Sequence, residues 1–132
     1  GNMGGKSYAS IVKSAGEKHI AALESDRGGF VPRGFGVDGS DAQVAFLQTL
    51  ASNYKNYDLH VFEKGYGGVD IGPLKEQYPG IPLFGFVPDS QRYFDYHHAA
   101  NDKFDGVNKR ELELGAATMA ALMYLIDQNG LQ

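Results

Sequence analysis

Eighteen glycines and five prolines divide this 132-residue chain into short segments whose hydrophobic period alternates between that of a helix and that of a strand. Apolar residues at helical spacing predict helices over residues 6–15 and 40–54 and from 108 to 129. Segments typical of strands occupy residues 19–25, 59–63 and 81–86. This alternation predicts an α/β fold, a three-layer sandwich with a mixed, partly parallel sheet.

Local signals predict two of the helix starts, but they do not decide the secondary structure of one segment. Ser40 and Gln43 have the spacing of a capping box, and Asn108 precedes Glu111 in the same way. Residues 71–78 predict a short helical turn that Pro79 and Gly80 close. The glycine-rich residues 33–37 fit a short strand or an extended loop, and the pattern does not choose between them.

Length, charge and cysteine content narrow the class of protein. Residues 1–132 have the length of a single domain, and 42% hydrophobic with 21% charged residues is typical of globular proteins. A formal charge of −4 favours neither nucleic acid nor an anionic membrane surface as a partner. The absence of cysteine excludes disulfides, thiolate zinc sites and a cysteine nucleophile. The longest apolar run, near residues 116–126, is too short to span a bilayer.

Acidic and imidazole side chains follow the predicted strands. Asp26 follows the first strand, Asp70 the 59–63 strand, and the pair His97 and His98 comes after the 81–86 strand. Ligands of open α/β sheets bind outside the carboxyl ends of strands, so we expect these side chains near one another. Carboxylate and imidazole suit zinc, but a catalytic site needs more protein ligands than these. Asp102 could orient an imidazole by accepting its N–H.

Each of these residues also has a structural interpretation. An aspartate before two glycines, such as Asp26, more often forms a turn, and Asp70 follows glycines as well. Asp105 trails the histidine pair without a role, and His19 and His60 are interpreted as structural. A set of aromatic residues fits either an apolar substrate pocket or, more commonly, the core: Phe84, Phe86, Tyr93, Phe94 and Tyr96.

Four segments resemble, in order and spacing, the carboxyl-terminal half of zinc exopeptidases related to bacterial leucyl aminopeptidases and plasma glutamate carboxypeptidase. They are IAALESDRGG, GYGGVDIGPL, GIPLFGF and YFDYHHAANDKFDGVNKRELELGAATMAAL, and together they span nearly the whole chain. The last is the most specific, because a histidine stands four residues before an aspartate and an Asn-Lys-Arg-Glu-Leu helix start follows.

The resemblance implies a two-zinc metallopeptidase that removes terminal residues of peptides and works in the periplasm or outside the cell. It implies that Asp26 is a terminal ligand of one zinc, His98 a terminal ligand of the other, and His97 a group that steadies the oxyanion of the tetrahedral intermediate. Asp70 matches a turn beside the active site, as a substrate or outer-shell residue without an assigned role, and Asp102 completes the histidine motif. Lys103 departs from the pattern, which has threonine there.

The family pattern also has an early histidine, a metal-bridging aspartate and a Glu-Glu pair, all before a glycine-rich segment that corresponds to residues 4–8 here. We therefore expect the distal part of a catalytic domain, incomplete at its amino end and inactive alone as an aminopeptidase or carboxypeptidase. The alternatives are a non-catalytic, peptidase-like interaction module, or two copies that complete each other's site. An exposed strand edge or apolar face left by the missing part predicts a homo-oligomer.

Overall fold

The computed structural model describes residues 2–131 and contains helices on both sides of a four-stranded sheet. The α-helices are α1 Met3–Ser14, α2 Asp41–Leu50, α3 Pro73–Gln77, α4 Tyr93–Tyr96 and α5 Lys109–Asn129, and two 3-10 helices span Ala51–Tyr57 and Phe104–Gly106. The strands are β1 Ala22–Glu24, β2 Pro32–Asp38, β3 Val61–Lys64 and β4 Leu83–Pro88. Within residues 2–131, no helix combines the length and the apolar character needed to cross a membrane.

The sheet is mixed, as predicted, with strand order β1-β4-β2-β3. β1 pairs with β4 and β2 with β3 in parallel, whereas β4 and β2 are antiparallel. Residues 33–37 therefore belong to a strand, and to one of the two central ones. The strand predicted over 19–25 is only three residues long, and it pairs with Leu83 to Gly85 of the longer strand β4.

Two apolar clusters on opposite faces of the sheet give the three predicted layers. One cluster joins the sheet to α2 and α5 and contains Phe35, Phe84 and Leu122. The other joins α1 to α3 and is centred on buried Ala9, Val12 and Leu74. Ala22 packs on the second cluster and its neighbour Leu23 on the first. Since successive strand residues point to opposite faces, the two clusters lie on opposite sides of the sheet.

The capping signals at the starts of α2 and α5 are confirmed. The Gln43 N–H donates to Ser40 Oγ at 3.2 Å, and the Ser40 N–H donates to the Gln43 side chain at 2.9 Å. The Glu111 N–H donates to Asn108 Oδ1 at 3.1 Å. The helix predicted over 40–54 changes at Ala51 from α to 3-10 geometry, and Asp58 ends it in the left-handed conformation.

A loop after β3, residues 65–68 and here named the crossing loop, lies directly on the sheet. A Cβ atom at Gly85 of β4 would stand 2.7 Å from the carbonyl oxygen of Tyr66, and one at Gly36 of β2 would stand 3.0 Å from the same atom. Glycine in these central strands therefore permits backbone to rest on backbone. The crossing loop carries the chain from β3 back across the sheet toward β1.

Candidate metal and substrate site

A cavity of about 300 Å³ opens at the edge of the sheet where β1 and β4 end. Since these strands are parallel neighbours, their carboxyl ends lie at the same edge, and the segments that follow them meet there. Asp26, His97 and His98 all line the cavity, together with aromatic walls from Phe30, Tyr93 and Tyr96. The fold thus brings a carboxylate and two imidazoles from distant parts of the sequence to one place.

The two histidines have different backbone geometries. His97 ends α4 and packs its ring on Tyr93, with 4.8 Å between ring centroids. His98 has φ of 53°, a left-handed conformation that non-glycine residues rarely adopt and that costs about 1 kcal/mol. The two imidazoles lie edge to face with centroids 4.0 Å apart. Such strain gathers at functional sites, and here it turns two successive side chains toward one cavity.

An ion pair behind the cavity supports the histidine segment. Arg92 Nη1 donates to both carboxylate oxygens of Glu111 at 3.1 Å, and its guanidinium lies 5.1 Å from the ring centre of Phe30. The pKa of Arg92 is raised by a hydrogen bond to Tyr96 and by the nearby charge of Glu111. These contacts join the segment before α4 to the start of α5. In the sequence Glu111 shows only a capping role and Arg92 shows none, because a contact between residues 19 positions apart leaves no periodic signal.

Asp70 does not line the cavity of Asp26 and His98. β3 pairs in parallel with β2, and β2 is antiparallel to β4. The carboxyl ends of β3 and β4 therefore point in opposite directions along the sheet. The strand-end argument therefore does not account for the position of Asp70, and its part beside the site stays a prediction. Its backbone N–H instead donates to Glu24 Oε2 at 2.9 Å, beside the N–H of Ile71 at 3.2 Å.

Glu24 is a further residue that the sequence analysis missed. It ends β1 two residues before Asp26, and its carboxylate holds the chain between the crossing loop and α3. The only sequence signal was an acidic side chain in the strand predicted over residues 19–25. Glu24 and Asp26 also share a smaller cavity of about 150 Å³ with the crossing loop.

Asp102 and Lys103 line the cavity of Asp26 and His98, whereas Asp105 does not. Within residues 2–131, the Asp102 carboxylate makes no hydrogen bond to either imidazole, and its orienting role stays a prediction. The Asp102 N–H donates to the carbonyl of Ala99 at 3.0 Å, which closes the turn after the histidines.

The remaining aromatic and histidine candidates divide between core, cavity and surface. Phe84 and Phe86 are buried in the core, Tyr93 and Tyr96 line the cavity, and Phe94 is 76% exposed. His19 lies outside the cavity, where its Nε2 is 3.0 Å from the Tyr8 hydroxyl. His60 Nδ1 is 3.0 Å from the carbonyl oxygen of Asp58 on the surface.

The donors of the cavity match zinc in type but not in number. Asp26 offers oxygen, and His97 and His98 offer nitrogen, the ligands that zinc accepts in proteins. In the described part of the chain, however, no three His, Cys, Asp or Glu side chains are grouped closely enough to hold a metal ion. Residues 2–131 therefore do not fit a complete zinc site, and the predicted two-zinc site would need ligands from elsewhere.

Comparisons of the sequence and of the fold with known proteins identify distant relatives. No family model matches the chain. The chain is 25% identical over 126 residues to carboxypeptidase Q of Bos taurus and 24% identical over 126 residues to carboxypeptidase Q of Homo sapiens, covering 96% of this chain and 26% of each relative. It superposes with a TM-score of 0.78 and 29% identity on the crystal structure of a peptidase M28 precursor from Shewanella amazonensis SB2B, covering 96% of this chain and 28% of that one. The chain is a distant homologue of carboxypeptidase Q and the M28 peptidase.

This homology confirms the resemblance found in the sequence and the α/β class of the fold. The relation is a distant one to carboxypeptidase Q and a peptidase M28 precursor, and the matched region is a carboxyl-terminal portion of these relatives. The chain spans only about a quarter of their length.

Proposed function

We propose that this chain forms one wall of a zinc exopeptidase active site and does not hydrolyse peptides by itself. In this proposal Asp26 and His98 are terminal ligands of two different zinc ions, and peptides are the substrates. The supporting observation is that Asp26, His97 and His98 line one cavity although they follow different strands. The small number of ligands in residues 2–131 and the absence of a Glu-Glu pair from the sequence support the lack of activity alone.

The roles of the cavity residues follow from their chemistry. A carboxylate binds a metal through one or two oxygens and an imidazole through one nitrogen, so Asp26 and His98 would leave most positions around each ion for other groups. His97 directly precedes the proposed ligand His98, and its N–H could donate to an oxyanion that forms on the substrate carbonyl. This chain offers no glutamate pair to take a proton from water, and that step needs a base from outside it.

Zinc titration by calorimetry, with matched histidine variants, tests the assignment. We expect weak zinc binding that His98→Ala and Asp26→Asn each reduce by about tenfold or more, because each removes one of few ligands. His60→Ala is the control, since His60 is exposed and lies outside the cavity. Equal zinc affinity of His98→Ala and the parent chain would overturn the ligand assignment.

A peptidase assay tests the second half of the proposal. Chromogenic amino-acyl and amino-terminally blocked peptide substrates, with and without added zinc, should show no turnover above that of His98→Ala. Turnover that needs His98 would mean that the chain, alone or as an oligomer, carries a complete catalytic set.

A second candidate function, an interaction module, is favoured by the surface around β1. β1 pairs with β4 on one side only within the described residues, and Ile20 just before it is 66% exposed. Met3 and Ile11 on α1 are 79% and 65% exposed. Unpaired strand edges and exposed apolar residues promote association. We propose that a second copy associates here, and that neither nucleic acid nor a membrane is a partner.

Light scattering over a range of protein concentrations tests this association. The parent chain should form a dimer or larger oligomer, and Ile20→Lys should shift it toward the monomer, because a buried lysine would be costly at the contact. Lys18→Ala, an exposed change nearby, serves as the control. A monomeric parent chain at high concentration would contradict self-association.

A further inference from the structure

Arg33 lies where the ends of three strands meet. β2 begins beside the end of β4, with Pro32 opposite Pro88, and its parallel neighbour β3 begins on its other side. From this position Arg33 Nη1 donates to Asp58 Oδ2 at 3.1 Å, and Nη2 donates to Asp89 Oδ2 at 3.2 Å. One guanidinium therefore joins the turn before β3 to the first residue after β4.

The two aspartates that Arg33 binds differ in their exposure. The Asp58 side chain is 78% exposed, so water can replace a lost partner there. The side chains of Arg33 and Asp89 are only 31% and 28% exposed, and the Asp89 N–H donates to the carbonyl of Val31 at 2.7 Å. Loss of Arg33 would leave the half-buried Asp89 carboxylate without this charged donor, which costs more than the same loss at an exposed group.

Asp89 begins the segment that leads to the two cavity histidines. Its Oδ1 accepts the Gln91 N–H at 3.1 Å, and the next residue, Arg92, binds Glu111. α4 follows at once, and it has four residues of which none is buried. A helix this short is not stable by its own hydrogen bonds, so its position depends on its contacts with the rest of the chain. Asp89 and Arg92 make those contacts on its amino-terminal side.

We propose that Arg33 is a positioning residue, which holds residues 89–98 through Asp89 so that His97 and His98 both line the cavity. The importance of the two histidines rests on the proposed function, whereas the tether itself requires neither metal nor peptide. His98 has the left-handed φ of 53°, and the two imidazole centroids lie 4.0 Å apart. A strained backbone of this kind persists only where surrounding contacts enforce it, and the tether at Asp89 is one of them.

Nuclear magnetic resonance of the full chain, at one fixed pH and without added metal, tests the tether. The imidazole signals of His97 and His98 report their edge-to-face contact through ring-current shifts. Hydrogen exchange of the His97 and Ala99 amides, which donate to the carbonyls of Tyr93 and Tyr96 at 2.9 Å, reports local opening of the segment. Amides of the central strand β4 report global unfolding. A merely structural role of Arg33 would accelerate the exchange of both sets of amides equally.

Arg33→Met and Asp89→Asn should each speed exchange of the His97 and Ala99 amides by about tenfold relative to the amides of β4, and should shrink the ring-current shifts. The combined variant should exchange no faster than the faster of the two, because both changes break the same link. Asp58→Asn is the matched control. It removes the other, exposed carboxylate that Arg33 binds and should leave the histidine segment as in the parent chain.

The inference is overturned if the segment amides of Arg33→Met exchange at the parent rate, or if the amides of β4 accelerate as much as they do. An equal acceleration in Asp58→Asn would also overturn it. Faster exchange in the combined variant than in either single variant would show that Arg33 does not act through Asp89. If the tether is found while the zinc titration gives no role to His98, the positioning role stands and only the proposed function is overturned.

Discussion

Replacement of Glu24 by alanine should loosen the chain between the crossing loop and α3. One carboxylate oxygen, Glu24 Oε2, accepts the N–H groups of Asp70 and Ile71 at 2.9 and 3.2 Å. Asp70 is exposed, so water replaces its lost partner, whereas Ile71 is half-buried and its N–H is left poorly solvated. A hydrogen bond to a charged group contributes about 1.5–3 kcal/mol, and solvent reduces the value for the exposed one.

These contributions predict that Glu24→Ala lowers the free energy of unfolding by about 2 kcal/mol. For a domain of this size, that corresponds to a melting temperature lower by about 6–10 °C. Glu24→Gln should cost about half as much, because it keeps an acceptor oxygen but loses the charge. Urea denaturation measures the free energy, and hydrogen exchange of the Asp70 and Ile71 amides locates the effect.

Glu63→Ala is the matched control, since Glu63 is an exposed glutamate on the opposite edge strand, β3. It should change the free energy of unfolding by less than about 0.5 kcal/mol. The reasoning is refuted if Glu24→Ala is as stable as Glu63→Ala while the Asp70 and Ile71 amides exchange at the parent rate.

Three further predictions concern packing and pH. Gly85→Ala should lower the free energy of unfolding by about 1–3 kcal/mol in urea denaturation, because its Cβ would meet the backbone of the crossing loop, and unchanged stability would contradict that contact. The pKa of Asp89 is lowered by a hydrogen bond from the Gln91 N–H and by Arg33. The Asp89 carboxylate therefore adds to the free energy of unfolding above about pH 4, and this addition is lost as the pH falls through the pKa of Asp89 in the folded protein. In Asp89→Asn the free energy of unfolding should fall less steeply at acidic pH than in the parent chain. An identical dependence on pH in the two proteins would refute the assignment. Burial raises the pKa of Tyr54 to about 12, so stability should fall by about 2–3 kcal/mol between about pH 10 and 12. Tyr54→Phe should remove that loss, and an unchanged alkaline profile would count against it.

Much of the fold could be predicted because the signals involved are local. A capping side chain accepts a backbone N–H only three residues away. The spacing of Ser40 and Asn108 in the sequence was therefore enough to predict the two helix starts. The resemblance of residues 93–122 to the exopeptidase pattern was confirmed for a similar reason, since spacing within one segment survives wide divergence. The strand over 33–37 was ambiguous, because Gly34 and Gly36 hide the alternation by which a strand is recognised.

The candidate site was predicted only in part. Asp26 and His98 were expected near one another because they follow strands predicted to run in the same direction. β1 and β4 are indeed parallel neighbours. The same argument failed for Asp70, because β4 and β2 are antiparallel and reverse the direction of β3. Strand direction in a mixed sheet depends on which strands pair, and no short-range pattern specifies that.

The sequence by itself determined the helix starts, the order of helices and strands, and the set of side chains able to bind a metal, because these depend on residue chemistry and on neighbours a few positions apart. Only the tertiary structure decided that Glu24 holds the backbone at Asp70, that Arg92 joins Glu111, and that Lys103 shares a cavity with Asp26. Each of these contacts crosses the sheet or connects distant loops. They exist because burial of the two apolar faces fixes strand order, and strand order then sets which loops meet.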